Sequence, residues 1–211
     1  MLKPIESEEE IIQGVRTPVL AQIPNLNHSE KGKKGEDFTL DLEEGTGKDA
    51  FHVLGANLLA GNHRTILFAS ARPSEGKTFL VHNLGVFLAR EGWRVLLVGT
   101  DFRDPRLRSR MKADTNGGSL EDYMEGKCTE ANVIHTSPEP RLFYLGSKKV
   151  MTNSLGVITS PRFKKLLREV SNKFDFTLLD SPPIQLFPDV EMLSQEVKDV
   201  IFVVRSGKTP L

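Results

Sequence analysis

Five short runs of this chain are apolar at nearly every position: Thr65–Ala69, Val95–Val98, Leu142–Leu145, Phe176–Leu179 and Val200–Val204. Runs without polar alternation predict strands buried on both faces. Between them lie segments with helical spacing, at Asp49–Leu59, Lys77–Arg90 and Pro161–Lys173. The second carries the stripe Leu80, Leu84, Phe87 and Leu88, and the third opens with Ser160 as cap and Pro161 at the first helical position. Strand and helix in alternation predict a parallel sheet covered on both faces, with ligands at the carboxyl ends of the strands.

The pattern divides the chain into three parts. Residues 1–27 form an N-terminal arm with an acidic turn at Glu8, Glu9 and Glu10 and an extended run, Thr17–Pro24, expected as an edge strand because its prolines exclude a central ladder position. Residues 28–48 are mostly Gly, Lys, Glu, Asp and Thr and predict a flexible linker, with Phe38, Leu40 and Leu42 as a docking strip. Residues 49–211 form the α/β domain.

Composition narrows the chemistry. Among 211 residues, 28 Lys and Arg balance 28 Asp and Glu, which removes the global basic excess of a nucleic-acid wrapper, so no nucleic acid is expected as a partner. A single cysteine, Cys128, excludes an internal disulfide and favours a reducing compartment, the cytosol. No window approaches a membrane span, and the start of the sequence has no apolar signal core. The five histidines lack metal-ligand spacing, so no transition metal is assigned. His82, on the predicted helix after residue 77, reads as packing or solvent-facing, and Trp93 as packing at a helix-to-strand turn.

The strongest chemical signal lies directly after the first buried strand. Ala71-Arg72-Pro73-Ser74-Glu75-Gly76-Lys77-Thr78, with Phe79 next, is the phosphate-binding loop pattern with Ala71 at its first glycine. Gly76 permits close backbone approach, consecutive amides and the helix start face phosphates, Lys77 reaches the β and γ oxygens, and Thr78 offers a hydroxyl to magnesium. Residues 71–79 are therefore the expected ATP or ADP site. The strand Leu178-Leu179 ends in Asp180 at a Ser-Pro-Pro turn, the strand at Val95 ends in Gly99-Thr100-Asp101, and these two acids with Thr78 are the candidate Mg2+ set. The predicted fold class is α/β, a P-loop NTPase-type parallel sheet with helices on both faces.

The string from Ile66 to Arg106, with Ser160–Leu167, Phe174–Pro183, Asp189 and Val203–Thr209, resembles the nucleotide-binding core of bacterial protein tyrosine kinases of capsule and exopolysaccharide synthesis, which are similar to the MinD/ParA group of P-loop ATPases. Pro18–Pro24 resembles the segment that precedes this domain where it is fused behind a membrane-spanning chain-length determinant. The resemblance implies an ATP-dependent tyrosine autokinase in which Lys77 and Thr78 belong to Walker A, Asp101 to Walker A′ and Asp180 to Walker B, with Lys77, Asp101 and Asp180 as catalytic residues. It also implies action at the inner face of the cell membrane, through a polysaccharide co-polymerase partner or a membrane segment of the same protein. Two further readings stand beside it: a catalytically degenerate nucleotide-binding regulator of such a co-polymerase, and a MinD/ParA-like positioning ATPase.

Departures from the family pattern shape the expectations. Gly99 stands where the first acid of Asp-x-Asp is usual, and general-base help of this kind is worth about two to four orders of magnitude. The family's Glu and two Arg of ring assembly fall on Asp49, His52 and Gly55, so only a weak homo-oligomer is expected. Tyr123 and Tyr144 are the only tyrosines; the family's last helix, strand and C-terminal tyrosine cluster are not in this sequence, so the chain is expected to be either a fragment or a copy that has shed its phosphoacceptor tail. Arg72 stands where MinD/ParA proteins carry a signature lysine and reads as a trans-acting finger or as a loop cation. Arg103, Arg106, Arg108, Arg110 and Lys112 form a basic run, read as a solvated loop or as a surface for anionic lipid, acidic polysaccharide or a phosphorylated tail.

Overall fold

The computed structural model describes residues 4–24, 46–112 and 117–209. In chain order the elements are α1 (Glu8–Val15), α2 (Thr46–Ala60), β1 (Thr65–Ser70), α3 (Lys77–Arg90), β2 (Val95–Gly99), α4 (Arg106–Met111), α5 (Leu120–Met124), α6 (Glu130–Val133), β3 (His135–Thr136), β4 (Leu142–Gly146), α7 (Ser154–Thr159), α8 (Pro161–Ser171), β5 (Phe176–Asp180), α9 (Asp189–Ser194) and β6 (Asp199–Val203). The strands form one sheet in the order β3-β4-β2-β5-β1-β6. All neighbours are parallel except the two-residue β3, which runs antiparallel to β4.

Two apolar layers sandwich the sheet. On one side α2, α3 and α4 pack Phe51, Leu54, Leu58, Leu84, Leu88, Leu107 and Met111 over Ile66, Phe68, Leu97 and Tyr144. On the other, α8 and α9 bury Phe163, Leu166, Leu167, Val170 and Leu193 against Leu67, Leu96, Val98 and Leu179. Ser160 caps α8, accepting from the Phe163 amide at 3.2 Å, and Pro161 stands where a missing amide costs nothing. Strands β1, β2 and β5 are buried on both faces, as continuous apolar runs require. β6 departs from that expectation: it is the sheet edge, and Val200 and Phe202 each keep 47% of their surface exposed.

The arm differs from its expected form. Glu8, Glu9 and Glu10 open helix α1, where three carboxylates suit the positive end of the helix dipole. Residues 17–24 form no strand. Instead Leu20 and Ala21 lie against the core and the Asn57 side-chain amide donates to the Leu20 carbonyl at 2.7 Å, while Pro18 and Pro24 have no amide to give a ladder. The expected docking strip Phe38, Leu40 and Leu42, like most of the expected linker, lies outside the described residues. Trp93 packs its ring edge-on to Phe176 with centroids 5.7 Å apart, and His82 is buried.

Candidate nucleotide site

β1, β5 and β2 end together at one edge of the sheet, and the site is assembled from the turns that leave these three strand ends. After β1 the chain turns through residues 71–76 and enters α3 at Lys77. Ser74 and Gly76 take φ values of 65° and 96°, which swing the loop back over the helix start. At Gly76, the residue preceding the helix, the left-handed backbone suits glycine, and with no side chain to cap α3 the first-turn amides stay available to an anion.

The loop is held by its own carboxylate and by both ends of the described chain. Glu75, buried, accepts from the Arg72 amide at 2.8 Å and from the Thr209 hydroxyl at 2.5 Å. Arg205 donates to the Ser74 carbonyl at 3.0 Å. The turn at 205–209 is fastened in turn by Ile5, whose amide donates to Thr209 and whose carbonyl accepts from Gly207, both at 2.8 Å. Arg72, Pro73, Ser74, Glu75 and Lys208 line a shallow hollow there. Arg72 is exposed and donates to Gln185 at 3.2 Å.

Lys77 and Asp180 are both buried and form an ion pair with each other. The Asp180 carbonyl accepts from the Thr100 amide and hydroxyl, each at 2.9 Å, and from the Asp101 amide at 3.2 Å, which ties the end of β5 to the turn after β2. Asp101 is half-buried, and its carboxylate accepts from the Asp104 amide at 3.2 Å. Burial raises its pKa above the ordinary value; the Asp104 amide and Lys77 oppose the rise, and Asp180 adds to it. Lys77, Asp101 and Asp180 therefore share one sheet edge, with Thr78 and Phe79 next to Lys77 in the first turn of α3 and Ala71 buried at the loop's start.

The basic run is not a solvated loop. Arg103 donates to the fully buried Asp189 at 2.8 Å and lies 4.1 Å from the Phe187 ring centroid, while Asp189 also accepts from Ser154 at 2.6 Å. Arg106, Arg108 and Arg110 belong to α4, whose Leu107 and Met111 are buried. Arg106 pairs with Asp104, and Arg108 donates to the Lys148 carbonyl at 2.5 Å. Burial lowers the pKa of Arg110, while the nearby Asp180 charge opposes that shift.

Sequence reasoning did not assign Arg205, Lys208 and Thr209 to the site. The string 203–209 was visible as part of the resemblance, yet nothing local in it points across more than a hundred residues to Ser74 and Glu75. Of the ring positions on α2, Asp49 and His52 are exposed, while Gly55 is packed so that an added β-carbon would stand 3.0 Å from Phe87. An arginine there has no room without displacing that ring.

The geometry defines a P-loop NTPase-type α/β fold: a mostly parallel sheet whose first strand feeds a phosphate loop and helix, with acids at two neighbouring strand ends. The chain belongs to the AAA domain family AAA_31, whose model matches residues 63–204. It is similar to the tyrosine-protein kinase CpsD of Streptococcus agalactiae, 28% identical over 163 residues that cover 76% of this chain and 70% of that one. In structure it matches the BceF tyrosine kinase domain with a TM-score of 0.82 at 21% identity, over 98% of this chain and 88% of that chain. The MinD protein of Pyrococcus horikoshii, solved with Mg-ADP, matches at a TM-score of 0.56 and 22% identity, over 66% and 57% of the two chains. Among the described residues no helix is long and apolar enough to cross a membrane.

Proposed function

We propose that this chain binds magnesium–ATP and magnesium–ADP at residues 71–79, with Thr78, Asp101 and Asp180 toward the metal, as a tyrosine-kinase-like domain of capsule or exopolysaccharide assembly. One observation carries the reading: the phosphate-loop lysine and the acid ending β5 meet as a buried pair at the carboxyl edge of the sheet. The residues fit the ligand. First-turn amides without a side-chain cap, a buried ammonium and two carboxylates on adjacent strand ends suit a polyphosphate with a hard cation. Bound magnesium would neutralise charge on the phosphate oxygens. With nucleotide bound, Lys77 would leave Asp180 for the phosphates, and the freed carboxylate would help to hold the cation. Thr100 and Asp101 hold the Asp180 backbone while its side chain changes partner. Catalytic power then rests on Lys77, Asp101 and Asp180 as positioned charges.

The second reading, a nucleotide-binding regulator with little kinase activity, is favoured by the β2 end. Gly99 supplies no acid there, and Tyr123 and Tyr144 are both buried and so poor phosphoacceptors. Either form would work at the inner membrane face with a membrane-spanning polysaccharide co-polymerase, or with a membrane segment of its own protein. Arg72, engaged with Gln185 of the same chain, speaks for a loop cation over a trans-acting finger and so against a positioning ATPase. The test is incubation with labelled ATP, with and without a tyrosine-rich peptide. Phosphotyrosine on the peptide supports the kinase; retained nucleotide binding with no phosphotyrosine supports the regulator. Robust labelling of Tyr123 or Tyr144 would contradict the proposed inertness of this chain's own tyrosines.

A further inference from the structure

Tyr144 is a site-edge residue that neither the loop nor the acids explain. It lies on β4, 1% exposed, with its ring leaning toward the carboxyl edge of the sheet. A β-carbon on Gly99 would stand 3.2 Å from the Tyr144 hydroxyl oxygen, and one on Gly146 would overlap it. Gly99 and Gly146 are register partners, and Gly99 is also the partner of Asp180 on its other side. The hydroxyl therefore occupies room left by two absent side chains, one strand away from the acid paired with Lys77.

That hydroxyl is buried and, among the described residues, has no hydrogen-bond partner. Buried tyrosine hydroxyls usually find one, and leaving the group unpaired disfavours the folded state. Phenylalanine would fill the same space without that cost. Burial pushes the phenol well above its ordinary pKa, and the Asp180 and Glu121 charges add to the rise against Arg108, so the group keeps its proton at neutral pH. It is a neutral donor awaiting an acceptor.

We propose that the Tyr144 hydroxyl donates a hydrogen bond to the terminal phosphate of the bound nucleotide, so that a neutral donor stands where an acid after β2 would bring a charge. This rests on the nucleotide reading above. The strand order β4-β2-β5-β1 puts the loop at β1 and Tyr144 on the opposite flank of Asp180, beyond Gly99. In this reading the phosphate chain starts on the loop and α3 and extends toward β2, which would bring its last phosphate closest to Tyr144. Because the hydroxyl is buried without ligand, binding must open a path to it.

The experiment compares wild type with Tyr144→Phe by calorimetry, using magnesium with ADP and magnesium with a non-hydrolysable ATP analogue, alongside thermal melting without ligand. A lost hydrogen bond to a charged oxygen predicts an affinity for the triphosphate lower by about tenfold or more. Affinity for ADP should change less than about twofold, and the unliganded melting temperature should stay equal or rise. Unchanged triphosphate affinity overturns the inference, as does an equal loss with ADP. A drop in the unliganded melting temperature also overturns it, because the hydroxyl would then be satisfied inside the protein. If wild type binds neither nucleotide, the nucleotide reading falls and this inference with it.

Discussion

The two flanks of Asp180 are built from opposite materials. Toward β1 the site is charged and tightly bonded: Lys77 on Asp180, Glu75 on the Arg72 amide and Thr209, Arg205 on Ser74. Toward β4 it is glycine and a neutral ring: Gly99, Gly146 and the buried Tyr144. On the proposed reading the first flank would hold a phosphate chain, whereas the second lacks the acid that would take a proton from an acceptor hydroxyl. That reading makes binding and transfer separable by substitution.

The largest effect should come from breaking the charged flank. Lys77→Ala leaves Asp180 buried without its partner, and removing one member of a buried pair costs about 3–5 kcal/mol. The double variant Lys77→Ala/Asp180→Asn should recover a large part of that loss, measured by denaturant unfolding; no recovery would mean that the pair does not set the stability here.

The glycine flank gives the next effect. Gly99→Asp introduces a side chain whose β-carbon stands 3.2 Å from the Tyr144 hydroxyl, and overpacking of this kind costs about 1–3 kcal/mol. Adding Tyr144→Val to Gly99→Asp should relieve the strain. Only this double variant is expected to gain peptide phosphorylation over wild type, read as phosphotyrosine with labelled ATP at a concentration high enough to saturate a site that has lost the Tyr144 hydroxyl. Equal gain from Gly99→Asp alone would show that the ring yields freely.

Much of the charged flank could be read directly from sequence. Residues 65–90 form a buried apolar strand, a Gly-Lys-Thr turn and a striped helix, and all three signals are local. The glycine flank could not be read that way, because Gly99, Gly146 and Tyr144 acquire their meaning only when β2 and β4 are in register. Helix α4 was hidden as well. Leu107 and Met111 are its only apolar anchors, too few to reveal a period among arginines, and the Lys148 carbonyl that Arg108 meets is distant in sequence. The exposed face of β6 was misjudged because an apolar run does not say which strand will lie at the edge.

A smaller effect is expected at Asp101. Its folded-state pKa lies above the unfolded one, so the folded chain holds that proton more tightly, and stability declines as pH rises from the unfolded value through the folded one. Asp101→Asn should flatten that decline in melting temperature against pH and stabilise the unliganded chain at neutral pH while weakening magnesium–nucleotide binding. The smallest effect concerns α2, where Gly55→Arg must push Phe87 aside and should lower stability by about 1 kcal/mol without producing a ring in light scattering.

The central claim, that the loop and the Lys77–Asp180 pair form a nucleotide site, is tested most directly by titrating magnesium–ATP into wild type and Lys77→Ala in a calorimeter, with circular dichroism verifying that the variant is folded. The account predicts saturable binding to wild type and an affinity lower by at least about a hundredfold in the variant, as loss of a buried cation facing phosphate requires. Equal affinities in the two folded proteins would contradict it.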